Sequence, residues 1–325
     1  MVQNNDMRNI LERLTAFSIP LILSGLLQQL FNWVDALIVG NIVGETALGG
    51  VGATSSLYNL FVTVLVGFTS GLSVLFAQQF GRGEHGSNTK LLANFAVLLT
   101  IAFTVITALG VAFVTPILGL MDTSESLFGY AKDYLQIVFW GIPFLALYNT
   151  YSAALRGMGN STIPFVAVLI SSITNVILDF ILVAFCKFGV AGAAAATTVS
   201  QIAMTVYIVV YTVIRHPELC FSPFKMSRYR GVVINGGKYG IPPAVQCSVS
   251  SIGNLFLQRF MNGFDDYTIA AITTAYRVDS VLLLPIVNFS TAISTLVAQQ
   301  YRHLLHRKSG QAARKQRKRF LRPVR

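Results

Sequence analysis

Apolar residues run along this chain in long blocks, not in strict alternation with polar ones. Eight blocks, at about 14–40, 50–80, 90–118, 131–155, 162–186, 190–214, 236–262 and 268–300, each span roughly 20 residues or more, enough for a helix to cross about 30 Å of hydrocarbon. Helices satisfy their own backbone hydrogen bonds in lipid, which an open sheet cannot, and the period-2 alternation of a membrane barrel is absent. The first block starts near Leu14 and runs too long for the short apolar core of a cleavable leader, so it reads as a spanning helix. The pattern predicts an all-α polytopic membrane protein with about eight transmembrane helices.

Composition agrees. Apolar residues make up 54% of the 325 and charged residues only 11%, too little polar surface to cover a water-soluble fold of this length. The distribution of charge sets an orientation. With the N-terminus in the cytoplasm, the inner segments hold twenty Lys or Arg, among them Arg8, Arg13, Arg82, Lys90 and Arg156, and the outer connectors only Lys132 and Lys187. The chain is therefore expected in the cell (inner) membrane with its N-terminus cytoplasmic. The three cysteines are scattered and read as small apolar fillers, and the four histidines fall in polar connectors or the tail.

The chain also repeats itself. A shift of about 222 residues lays Ile19-Pro20 on Ile241-Pro242, Asn32 on Asn254 and Thr46 on Thr268; after a one-residue slip, Ala77-Gln78-Gln79 falls on Ala298-Gln299-Gln300. An even number of helices separates the copies, so they run parallel. The repeat divides the chain into an N-lobe of six helices (1–214), a basic cytoplasmic linker (215–238), a partial C-lobe of two helices (239–301) and a basic tail (302–325). Six helices in the first lobe imply six in the second, so four are expected to be missing. The tail carries ten Lys or Arg and no acid. It reads as a polybasic segment on anionic lipid, as a nucleic-acid arm, or as an out-of-frame ending; the abrupt change of composition where the repeat should continue favours the last.

Of the thirteen acidic residues, only Asp35, Asp179 and Asp279 lie well inside apolar blocks, Asp133 standing at the very start of the block at 131–155. An Asp at a helix centre costs roughly 2.5–3.5 kcal/mol to insert, so such residues usually face a cavity and serve a function. Asp35 has Asn32 one turn before it, Asp179 has Asn175 at i−4, and Thr197 and Gln201 form a further i, i+4 pair in the sixth helix. Should these faces converge, their oxygens would surround one small cavity suited to a hard cation such as Na+ or to a proton. Asp279 follows Arg277 too closely to share its helical face and reads as a structural ion-pairing residue. The repeat lays Asp35 on Leu257, so the acid is no part of the shared scaffold, which favours a functional role.

The residues Ala154-Leu155-Arg156-Gly157-Met158-Gly159-Asn160-Ser161-Thr162-Ile163-Pro164 resemble the connector between helices 4 and 5 of the multidrug and toxin extrusion (MATE) family. Asn175 to Asp179, Val190 to Gln201, Ile19-Pro20 with Asp35, Asn254 to Gln258, Ala275-Tyr276-Arg277 and Ser294 to Gln299 are similar to that family as well, so the likeness covers about residues 10–300. The resemblance implies a twelve-helix, two-lobed secondary-active antiporter that exports bulky amphipathic or cationic compounds in exchange for H+ or Na+. It implies that Asp35, Asn175, Asp179 and Thr197 form the cation site; Asn32 and Gln201, from their helical spacing, are candidate accessory residues. It further implies small-molecule substrates and lipid as partners, no nucleic acid, no cofactor beyond the coupling ion, and a monomer. A lipid-linked saccharide flippase of the same superfamily and a non-functional fragment remain alternatives. A membrane enzyme would need Asp-rich metal motifs or a histidine near the interface, and the sequence has neither.

Overall fold

The structure is a computed structural model that describes residues 2–82, 85–120, 124–219, 230–261, 275, 279 and 281–300. Every regular element among the described residues is helical: α1 (Val2–Ile38), α2 (Glu45–Gly81), α3 (His85–Ala112), α4 (Val114–Leu120), α5 (Glu125–Val138), α6 (Ile142–Gly157), α7 (Thr162–Asp179), α8 (Gly189–Arg215), α9 (Arg230–Met261) and α10 (Val281–Gln300).

Among the described residues, six helical segments are long and apolar enough to cross a membrane: Leu11–Val43, Glu45–Gly81, Gly86–Ala112, Thr162–Phe185, Gly189–Arg215 and Val281–Gln300. The fold class is as the block pattern predicts, but two of the eight expected spans differ in form. The block at 131–155 is two helices, α5 and α6, joined by a 3-10 turn at Phe139–Gly141. Pro143 lies in the first turn of α6, where its missing N–H leaves no hydrogen bond unmade, so the helix restarts there. The block at 236–262 is one helix of 32 residues, α9, but Lys238, Pro242, Pro243 and several Gly and Ser residues dilute its apolar character. Most of the first half of the block at 268–300, together with the tail, lies outside the described residues.

A single large core forms where α2, α3, α5 and α6 meet. Leu72, Phe76, Leu91, Leu92, Phe95, Leu135, Phe139 and Leu155 are buried together, and Phe61 meets Phe139 edge to face at 5.6 Å. The pair α9 and α10 packs onto this bundle through α2, α3 and α1.

The α2–α9 seam is unusually close because small residues line both sides. Gly67 and Gly71 of α2 face the backbone of Pro243–Ala244 and Tyr239–Gly240, while Gly236 and Gly240 of α9 face the rings of Phe95 and Phe68. α2 thus presents a Gly-x-x-x-Gly pair to α9, the spacing that lets two membrane helices approach to backbone contact, while on α9 Gly240 faces α2 and Gly236 faces α3. Gly49 and Gly50 lie elsewhere on α2 and make room for Leu127 and Tyr130 of α5.

Candidate functional site

Asp35 and Asp179 both lie near the ends of their helices, and both helices end in the same way. After Asp35, α1 widens into a π-helical turn at Val39–Val43. Asp179 is the last residue of α7, which widens into a π-helical turn at Phe180–Phe185. The two turns pack against each other. Wide turns of this kind are rare and concentrate at functional sites. Small residues let α8 close on this region: Gly192 abuts the backbone of Leu182, where a Cβ would stand only 3.1 Å away. Ile38, Val39, Val183, Val190, Ala193 and Ala194 form an apolar cluster beside the acids.

Within that setting the structure brings Asp35, Asn175, Asp179 and Thr197 together. Asp179 and Asn175 are completely buried and Thr197 nearly so, while Asp35 is partly buried. The two carboxylates lie within electrostatic reach of each other. Nδ2 of Asn175 donates a long hydrogen bond, 3.5 Å, to Oγ1 of Thr197, tying α7 to α8. Four buried oxygens have no donor: Oδ1 of Asp35, Oδ1 of Asn175, and both carboxyl oxygens of Asp179. A buried acceptor left unmatched is costly, so a cluster of them marks a place built for a donor or a cation.

Two tyrosines that the sequence did not single out border the same group. Tyr134 of α5 lies within hydrogen-bonding reach of Thr197 and within electrostatic reach of both acids. Tyr58 of α2 accepts a 2.7 Å hydrogen bond from Nε2 of Gln201. Gln201 is one turn beyond Thr197 on α8, and its Oε1 turns towards Gly141 of the 3-10 turn, where any side chain would collide with it. No sequence signal identifies these tyrosines, because a Tyr in an apolar helix reads equally as core filler.

Asn32 is not part of this group and is a correction to the sequence reading. It is exposed and donates to Gln29 Oε1 at 3.4 Å. Three residues along a helix turn the side chain about 300°, leaving Asn32 about 60° off the face of Asp35. Asp279 is exposed, and Arg277 lies outside the described residues. Among the described residues, no three His, Cys, Asp or Glu side chains come together as a metal cluster. The donor set here is instead a pair of acids joined by an amide and a hydroxyl. Such uncharged and anionic oxygens suit a hard monovalent cation or a proton.

The MatE family pattern matches residues 20–181, which include Asp35, Tyr58, Tyr134, Asn175 and Asp179. Among curated proteins, the chain is 30% identical over 291 residues to the probable multidrug resistance protein YpnP of Bacillus subtilis (strain 168), covering 90% of this chain and 65% of that protein. It is 25% identical over 305 residues to the probable multidrug resistance protein NorM of Thermotoga maritima, covering 90% of this chain and 64% of that protein. The chain thus spans just under two thirds of the length of these relatives. Among solved structures, a MOP superfamily transporter from Pyrococcus furiosus superposes with a TM-score of 0.83 at 22% identity, over 90% of this chain and 65% of the other. With a matching family pattern, matching relatives and a matching fold, the chain belongs to the multidrug and toxin extrusion (MATE) family.

Proposed function

We propose that this chain serves secondary-active export of drug-like amphipathic or cationic compounds across the cell membrane, driven by Na+ or H+ bound at Asp35, Asn175, Asp179 and Thr197. The observation that carries this reading is the group of four buried oxygens without donors. A bound cation or proton would satisfy those acceptors, and its release would leave two neighbouring carboxylates repelling each other in a low-dielectric setting. The site then has two states of different energy, as an ion-driven cycle requires. Tyr134 and Gln201 with Tyr58 hold α5, α8 and α2 around it. The names of the relatives support the choice of substrate, since YpnP and NorM are described as probable multidrug resistance proteins. The excess of basic residues in one set of connectors supports a cytoplasmic N-terminus.

The test is accumulation of a fluorescent cationic dye in inside-out vesicles carrying this chain, with a Na+ or proton gradient imposed separately. Accumulation under one gradient, lost at least tenfold in Asp35→Asn and Asp179→Asn, is the expected result. Undiminished accumulation in both variants would overturn the assignment of the site.

A further inference from the structure

The repeat pairs Gln78 at the end of α2 with Gln299 at the end of α10. In the folded chain each of these glutamines bonds across the seam between the α1–α8 bundle and the α9/α10 pair. Oε1 of Gln78 accepts from the hydroxyl of Tyr239 on α9 at 3.0 Å. Nε2 of Gln299 donates to the carbonyl of Gly157 at the end of α6 at 2.6 Å. The two bonds run in opposite senses: the first-copy glutamine receives from the second block, and the second-copy glutamine gives to the first.

The surroundings hold both glutamines at the seam. Gly81, one turn beyond Gln78, lies directly against the backbone of Gln299. Gly159, in the connector that follows α6, has a left-handed backbone with φ of 91°, and a Cβ there would stand 3.5 Å from Nε2 of Gln299. Two residues on, Oγ of Ser161 donates to the carbonyl of Phe17 at 2.8 Å and fastens the same connector to α1. Phe17 and Leu21 of α1 then bury Ala292 of α10 completely. These contacts all fall at one end of the bundle, the end of Arg82 and Arg156 that the charge distribution places in the cytoplasm.

We propose that Gln78 and Gln299 form a paired cytoplasmic latch, in which the Gln78–Tyr239 and Gln299–Gly157 hydrogen bonds hold the two blocks together at their inner ends and must both part before the chain can open inward. The proposal rests on the orientation and export reading above, but not on the ion site. Alternating access of repeat-built transporters is a rocking of one block against the other; here the repeat itself supplies one fastening from each side.

The reporter is a thiol introduced by Ala292→Cys in a chain whose three native cysteines are replaced. That position is sealed by Phe17 and Leu21 while the inner ends are closed. Its reaction with a membrane-impermeant maleimide is followed in inside-out vesicles without substrate or gradient. Tyr239→Phe removes one hydroxyl and keeps the ring; Gln299→Ala removes the other bond. Each is expected to raise the labelling rate about 2- to 10-fold, the ratio that loss of one ordinary hydrogen bond implies. The two together should approach the product of the single effects, whereas Tyr239→Phe combined with Gln78→Ala should fall short of it, since both remove one bond. Unchanged labelling in the Tyr239→Phe, Gln299→Ala pair overturns the latch, as does labelling that rises only in right-side-out vesicles. Should Gln299→Ala unfold the chain, Tyr239→Phe carries the test alone. Because dye export is not the readout, failure of the ion-site assignment leaves this result standing.

Discussion

Asp179→Ala should make the protein more stable in the absence of Na+ while removing its response to Na+. Asp179 is fully buried and neither of its oxygens meets a donor. Each unmatched buried acceptor costs about 1–3 kcal/mol, so removing both gains about 2–6 kcal/mol. The small void left by the lost carboxyl group offsets about 1 kcal/mol of that. A net gain of about 1–5 kcal/mol corresponds to a melting temperature higher by about 2–10 °C in a chain of this size. The measurement is thermal unfolding of detergent-solubilised protein at alkaline pH, with a bulky organic cation replacing Na+. Where Na+ and not H+ is the ion bound, Na+ added at about 100 times its dissociation constant should then stabilise the unsubstituted chain by about 2.7 kcal/mol and leave the variant unmoved. If Asp179→Ala melts below the parent without Na+ and both respond equally to Na+, the acceptors are not unmatched and the site reasoning is wrong.

Four further outcomes follow from the same geometry. Tyr58→Phe deletes the partner of Gln201 and should cost about 1 kcal/mol of stability, measured by chemical denaturation, while slowing dye export. Gly141→Ala drives a methyl group into Gln201; export should fall at least as far as in Tyr58→Phe, with the chain still folded by size-exclusion chromatography. Gly71→Ala places a methyl group against the Tyr239 backbone, and its melting temperature should drop by several degrees, an overpacking cost of about 1–3 kcal/mol. Asn32→Ala, at an exposed position away from the acids, should export dye at the unsubstituted rate; a large loss would restore Asn32 to the site.

The helical class was legible because blocks of apolar residues leave no other fold in lipid, and Asp35 and Asp179 stood out because an acid in such a block is expensive. The i, i+4 spacings of Asn175 with Asp179 and of Thr197 with Gln201 followed from helix geometry alone. The i−3 position of Asn32 did not share the face of Asp35, which shows how little angular error a pocket assignment tolerates. Tyr58 and Tyr134 were hidden because their meaning depends on which helices α2 and α5 touch. The π-helical turns were hidden too, since Val39–Val43 and Phe180–Phe185 would fit an ordinary helix equally well. The repeat aligned Gln78 with Gln299, and Tyr239 with Phe17, yet the pairing of the glutamines with Tyr239 and Gly157 emerged only in the fold. The Gly-x-x-x-Gly pair of the seam was there to be read, but many glycines in this chain have similar spacing and only packing selects among them.

The glycine seam divides α2 into unequal lever arms. From the midpoint of Gly67 and Gly71, about 36 Å of helix extends to Glu45 and about 18 Å to Gly81, at 1.5 Å per residue. A tilt of about 10° around that fulcrum swings the long arm by about 6 Å and the short arm by about 3 Å. The short displacement is enough to part a hydrogen bond such as that of Gln78, while the long one is on the scale of a small molecule's width.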